Sequence, residues 1–459
     1  MARFTPFPFE YFTEILSSPL VKPLAQRLQP STVISVLRGV FDDVTTEVRY
    51  AVNEQKLPDL NILVDKVVAR LADALELTDP LVVDARGRLF PNSVERLADA
   101  ALNEGVWASA TPQSPQTRKQ ELQREKTTLA LLARLGGSEA ALVFNSAEAA
   151  RVAILQNLYA SGKELVVARR DMYEREDGER LERAFNVFPR QRRLEIGACN
   201  AVDFNDYERA CTPETGLVWR SFCRWEPEGR YVPCADVAKL KGVGGRNFKL
   251  LADVEFAPLV DLSEYFDATV PTVADRFRQG VDLVICDGAQ LIGGPNCGLL
   301  FGPKSVLEEL RNQPAYYLCQ PSSSVSAALA KTIQLYDDPE KALAAIPALR
   351  LLSTSLANLE NRAKRLANLL ETFQNVQFAR PVEGRGVLCV NASIGVFPSW
   401  LVELKPRGAS PAEFAAKLEK TTPSLLVRWN RDVVLLDMRT LPPELDLVVV
   451  DVFESLNAQ

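Results

Sequence analysis

The sequence predicts an α/β protein with three parts: a helical N-terminal module, a large domain on a mainly parallel sheet, and a smaller α+β C-terminal domain. Two patterns carry this. Between about residues 80 and 330, short apolar segments alternate with helical stretches, the arrangement of a parallel sheet covered by helices on both faces. Before and after that stretch the apolar residues recur mainly at helical spacing. The expected boundaries are 1–76, 77–330 and 331–459.

In the first part, Val33, Val36, Leu37, Val40 and Phe41 repeat at helical intervals, as do Leu60, Leu63, Val64, Val67, Val68 and Leu71. Pro30-Ser31-Thr32 and Leu57-Pro58-Asp59 supply helix starts. In the second part the expected strands are 140–144, 164–168, 193–196, 217–219, 249–254, 281–285 and 298–301. Helices over 120–135 and 148–159 separate the first of them. Asp337-Asp338-Pro339 opens the third part as a helix start, followed by one long amphipathic helix over about 349–373. Strands at 386–390 and 433–438 complete it. The Gly242-Val-Gly-Gly245 loop lacks the strand spacing of a dinucleotide-binding fingerprint.

Composition narrows the chemistry. With 459 residues, 47% of them apolar and 24% charged, the chain has the make-up of a globular protein of two or three domains. No apolar run reaches the ~18 residues of a membrane span, and the N-terminus has no signal-peptide core, which predicts a cytoplasmic protein with no membrane partner. Cys199, Cys211, Cys223, Cys234, Cys286, Cys297, Cys319 and Cys389 form no Cys-x-x-Cys pair, so buried free thiols are expected rather than a metal site. There is no histidine, the usual acid–base residue near neutral pH. The net charge of −6 does not advertise nucleic-acid binding.

The most telling segment is Asp287-Gly-Ala-Gln-Leu-Ile-Gly-Gly-Pro-Asn-Cys-Gly298, a hydrophobic run entering a small-residue turn and then Gly293-Gly294-Pro295. Seven further blocks accompany it: 135–147, 259–265, 271–273, 335–343, 346–350, 397–400 and 435–441. Through these blocks, in order and spacing, the chain resembles bacterial selenocysteine synthase (L-seryl-tRNA(Sec) selenium transferase) nearly end to end. The resemblance implies a pyridoxal-phosphate (PLP) transferase large domain of the aspartate-aminotransferase type. It also implies a homodimer or higher ring-like homo-oligomer, and a tRNA partner reached through the N-terminal module. The charge of that module is mixed: Lys22, Arg27, Arg38 and Arg49 are offset by Asp42, Asp43 and Glu47.

Residue by residue, the same resemblance divides what is kept from what is changed. Asp253 aligns with the aspartate that pairs with the cofactor's pyridinium nitrogen, which would make the ring an electron sink. Asn145, Ser146 and Ala147 align with the turn that binds the cofactor phosphate, where backbone N–H groups at a helix start suit an anion. An Asn/Ser helix cap is the simpler reading of that turn. Gln290 stands at the position of the Schiff-base lysine and Ala289 at that of its neighbouring aspartate. Tyr317 and Gln320 align with two arginines that face the selenium donor, and Ser221-Phe-Cys-Arg-Trp225 with a His-Thr-Ser-Asn segment. Lys304 lies too far along to replace the lysine. The expectation is a relative without Schiff-base selenium transfer, keeping a binding or scaffold role, with PLP held non-covalently or not at all. The alternative is a working transferase that uses non-covalent PLP or a cysteine such as Cys286 or Cys297.

Overall fold

The computed structural model describes residues 82–86, 115–172, 181–198, 201–222, 232–254, 256–267, 270–387 and 396–457. The helical module expected over 1–76, Cys199, Cys223, Cys389, Arg224 and Trp225 lie outside them. By contacts within the chain there are two compact units, Met1–Val82 with Lys420–Ser424 and Val83–Glu419 with Leu425–Gln459. Apart from Val82 and Ser424, every element below belongs to the second unit.

The strands are β1 (Val82–Ala85), β2 (Ala140–Phe144), β3 (Glu164–Ala168), β4 (Arg193–Ile196), β5 (Thr215–Phe222), β6 (Lys249–Val254), β7 (Leu283–Asp287), β8 (Gly298–Gly302), β9 (Val376–Val387), β10 (Val396–Pro406), β11 (Ser424–Trp429) and β12 (Val434–Asp437). A seven-stranded sheet runs β2-β8-β7-β6-β5-β3-β4. Its β4-β3-β5-β6-β7 pairs are parallel, and β8 is antiparallel to both its neighbours. The α/β fold class expected from the sequence is the one observed, and each of the seven strands expected in this region is present.

Side-chain period explains why these strands are almost wholly apolar. Successive residues point to opposite faces, and helices cover both. Val166, Val218, Leu250, Ala252 and Val284 belong to one core. Their neighbours Leu165, Leu217, Trp219, Leu251 and Ile285 belong to the other. Against this second face lies α1 (Ala147–Ser161), burying Ala150, Ala153, Ile154 and Leu158.

The smaller sheet has the order β1-β11-β12-β10-β9, with a long β9–β10 hairpin at one edge. The single long helix expected over 349–373 is instead two helices, α2 (Pro347–Ser353) and α3 (Leu356–Leu370). The break has a local cause. Ser355 accepts a hydrogen bond from the Asn358 backbone N–H and so starts a new helix. The carbonyls of Leu351, Leu352 and Thr354 at the end of α2 are taken by Arg439 Nη1 instead of by a continuing helix. Leu359, Ala363, Leu366 and Leu370 of α3 then pack on Val402, Leu404, Val434 and Leu436 of the sheet. The strand expected at 386–390 begins earlier, at Val376, and its residues 388–390 lie outside the described ones.

Candidate cofactor site

In an open α/β sheet, ligands bind beyond the carboxyl ends of the parallel strands. The aligned site residues gather there. Asn145, Ser146 and Ala147 form the turn from β2 into α1, Asp253 is near the end of β6, and Ala289 and Gln290 follow β7.

The turn at Ser146 is a helix cap. Its φ of −158° is extended, and its Oγ accepts from the Ala149 N–H at 3.1 Å. The Asn145 N–H donates to the Cys319 carbonyl at 2.8 Å. A Cβ on Gly298 of β8 would lie 2.2 Å from the Ser146 carbonyl oxygen, so the turn and β8 touch backbone to backbone. Both the Asn145 N–H and the Ser146 Oγ therefore have protein partners.

Asp253 is the most buried of these aligned residues. It is 1% exposed and projects on the same face as Leu251, the face covered by α1. Arg151 of α1, itself 6% exposed, meets it with a two-pronged contact. Arg151 Nε donates to Asp253 Oδ2 at 2.8 Å and Nη2 donates to Oδ1 at 2.9 Å. The third nitrogen, Nη1, donates to Glu148 Oε1 at 2.8 Å one turn back on the helix. Paired forks of this kind are the stronger class of charged hydrogen bond. The guanidinium thus takes one acceptor site on each carboxylate oxygen.

Arg151 did not stand out in the sequence reading, yet a signal was present. It lies four residues after Ala147 and three before Ile154, on the buried stripe of α1, where a charged residue demands a partner.

The segment after β7 is tightly tied. Asp287 Oδ1 accepts from the Ala289 N–H at 2.7 Å, the Gly294 N–H donates to the Gly288 carbonyl at 2.8 Å, and the Gly293 N–H donates to the Gln290 carbonyl at 3.0 Å. Tyr336 Oη donates to the carbonyl of Ile292 at 3.0 Å. Gly293 has a φ of +70° and sits against Ile346, which is why glycine is required there. Gln290 is half-buried on this turn, and Ala289 is 6% exposed.

The remaining candidates lie elsewhere. Lys304 is at the start of the helix Lys304–Arg311, 69% exposed, with Nζ 3.7 Å from Glu308. Tyr317 is 77% exposed. Gln320 lines a small cavity with Glu125, Thr128 and Tyr316, whose lining among the described residues holds a carboxylate and no lysine or arginine. Cys286 and Cys297 are 1% and 2% exposed, and burial pushes both thiols well up, so neither is a ready thiolate nucleophile. Among the described residues no cluster could hold a metal ion, and no helix is long and apolar enough to cross a membrane.

Comparison with known proteins agrees with this geometry at the level of fold and family. Residues 116–442 match the family model described as L-seryl-tRNA selenium transferase. The L-seryl-tRNA(Sec) selenium transferase of Moorella thermoacetica is 28% identical over 444 residues, covering 94% of this chain and 92% of that protein. That of Geotalea uraniireducens (strain Rf4) is 30% identical over 327 residues, 68% of each chain. Among solved structures, D-glucosaminate-6-phosphate ammonia-lyase superposes with a TM-score of 0.60 at 14% identity, covering 84% of this chain and 98% of that one, which is a likeness of fold.

Proposed function

The chain belongs to the L-seryl-tRNA selenium transferase family, and from that premise we propose a member without the family's covalent cofactor chemistry, a pseudoenzyme that retains the fold as a binding scaffold. The observation that carries this is Gln290. It occupies the position aligned with the Schiff-base lysine, and a carboxamide nitrogen does not condense with an aldehyde. Lys304 offers no replacement, because it opens the helix after β8 beside Glu308. Tyr317 and Gln320 supply no positive charge for an anionic donor.

In this reading the chain keeps the expected organisation, with a helical module to residue 76, a large domain to 330 and a small domain beyond it. It assembles as a homodimer or a larger ring, and the scaffold's partner is a tRNA bound through the N-terminal module. Salt-sensitive tRNA retention in a filter-binding assay is the expected result.

The competing reading, a working transferase with non-covalent PLP, would rest on Asp253. Both of that residue's carboxylate oxygens accept hydrogen bonds from Arg151. The decisive experiment is incubation of the purified protein with PLP and borohydride, followed by intact-mass analysis. An unmodified mass is expected. A stoichiometric pyridoxyl adduct mapping to one site on the wild-type chain would sink the proposal.

A further inference from the structure

We infer that Arg151 stands where the ring nitrogen of PLP would pair with Asp253, so that the chain's own guanidinium closes the pocket to the cofactor even as a non-covalent ligand. The inference rests on the family reading for the position of Asp253, and it goes beyond the loss of the lysine. A missing lysine removes the covalent anchor. An internal cation on Asp253 removes the place for the ring.

Three observations carry it. First, Asp253 accepts one N–H on each carboxylate oxygen, at 2.8 and 2.9 Å, from a side chain that is itself buried. Second, Arg151 cannot leave cheaply. Its stem belongs to the buried stripe of α1, and moving it strands a buried charge on either side. Third, the charge around the guanidinium is already met by two carboxylates, Asp253 and Glu148. An incoming phosphate ester would bring more negative charge to this cluster. At the turn aligned with the phosphate site, Ser146 Oγ accepts from the Ala149 N–H and the Ser146 carbonyl lies against Gly298.

The test is equilibrium dialysis of PLP and a thermal melt with and without PLP, on wild type, Gln290→Lys, Arg151→Ala and Arg151→Gln. Arg151→Gln keeps a donor near Asp253 in case the alanine variant does not fold. Wild type and Gln290→Lys are expected to retain no PLP and to melt unchanged. At least one Arg151 variant is expected to bind PLP at least tenfold more tightly and to melt higher with it. Stoichiometric reversible binding by wild type overturns this inference while leaving the proposed loss of covalent chemistry intact. Failure of every folded Arg151 variant to gain affinity overturns it as well. A borohydride-fixed adduct on wild type overturns both.

Discussion

Ser399 Oγ donates to Asp437 Oδ1 at 2.6 Å, joining β10 to β12 where the two residues are 2% and 0% exposed. The same carboxylate oxygen accepts from the backbone N–H of Arg439, whose guanidinium in turn donates to the carbonyls of Pro398, Leu351, Leu352 and Thr354. One acid and one arginine thus tie the end of α2 to two strands. Removing the arginine leaves buried carbonyls without donors. Arg439→Met is expected to destabilise the fold by about 3 kcal/mol or more, measured by urea unfolding.

Burial raises Asp437 above the ordinary carboxylate pKa, outweighing the lowering pull of Ser399 and Arg428. The folded protein therefore holds this proton more tightly than the unfolded chain. That contribution is complete below the unfolded value, about 3.9, and is lost as pH rises through the higher folded value. Asp437→Asn should gain stability relative to wild type as pH increases across that window. A stability difference that stays flat with pH would discard the assignment.

Arg151 and Asp253 allow a test of a buried pair. Removing either partner alone, as Arg151→Leu or Asp253→Leu, should cost about 3–5 kcal/mol, because the other charge is left buried. The double variant should cost far less than the sum. Urea melts of the four proteins give the coupling directly, and additive losses would show that the pair does not act as a unit.

The glycines next to the site differ in what they tolerate. Gly298→Ala would place a Cβ 2.2 Å from the Ser146 carbonyl oxygen, and Gly293→Ala one 2.3 Å from an Ile346 methyl at a φ of +70°. Each is expected to cost about 2 kcal/mol or more. Gly162 also has a positive φ, +68°, but nothing lies within 4 Å of its missing Cβ. Gly162→Ala should cost only about 1 kcal/mol, the backbone preference alone. Thermal melts ranking Gly162→Ala as the worst of the three would contradict the packing described.

Thiol reactivity follows burial. Cys211 is pushed up to about 11, and Cys286 and Cys297 also lie well above a free thiol. Cys319 is half-buried. Alkylation of the native protein at pH 8, mapped by mass spectrometry, should modify Cys319 first among the described cysteines. Cys286 and Cys297 should react only as fast as the protein unfolds. Rapid labelling of Cys297 would revive a cysteine-based reading of the site.

Much of this architecture could be read along the chain. The parallel sheet was legible because each strand is a short, nearly continuous apolar run, and burial on both faces demands that composition. Gln290 was legible because the turn around it keeps its small residues. The long β9–β10 hairpin was harder to read, since Arg380, Glu383 and Arg385 interrupt its apolar pattern on an edge partly open to solvent. The division of the helix at Thr354 was hidden because the apolar spacing continues through it.

What the sequence by itself determined is the order of strands and helices, the family, and the amide at position 290, all of which depend on local pattern. What only the tertiary structure decided is who holds Asp253. Arg151 lies 102 residues away along the chain, and its role arises because α1 packs across the face from which Asp253 projects. The end of α2, where the Leu352 carbonyl is taken by an arginine 87 residues later, is of the same kind. A charge inside a core must find its opposite charge or its carbonyls, and only the folded chain brings them within hydrogen-bonding distance.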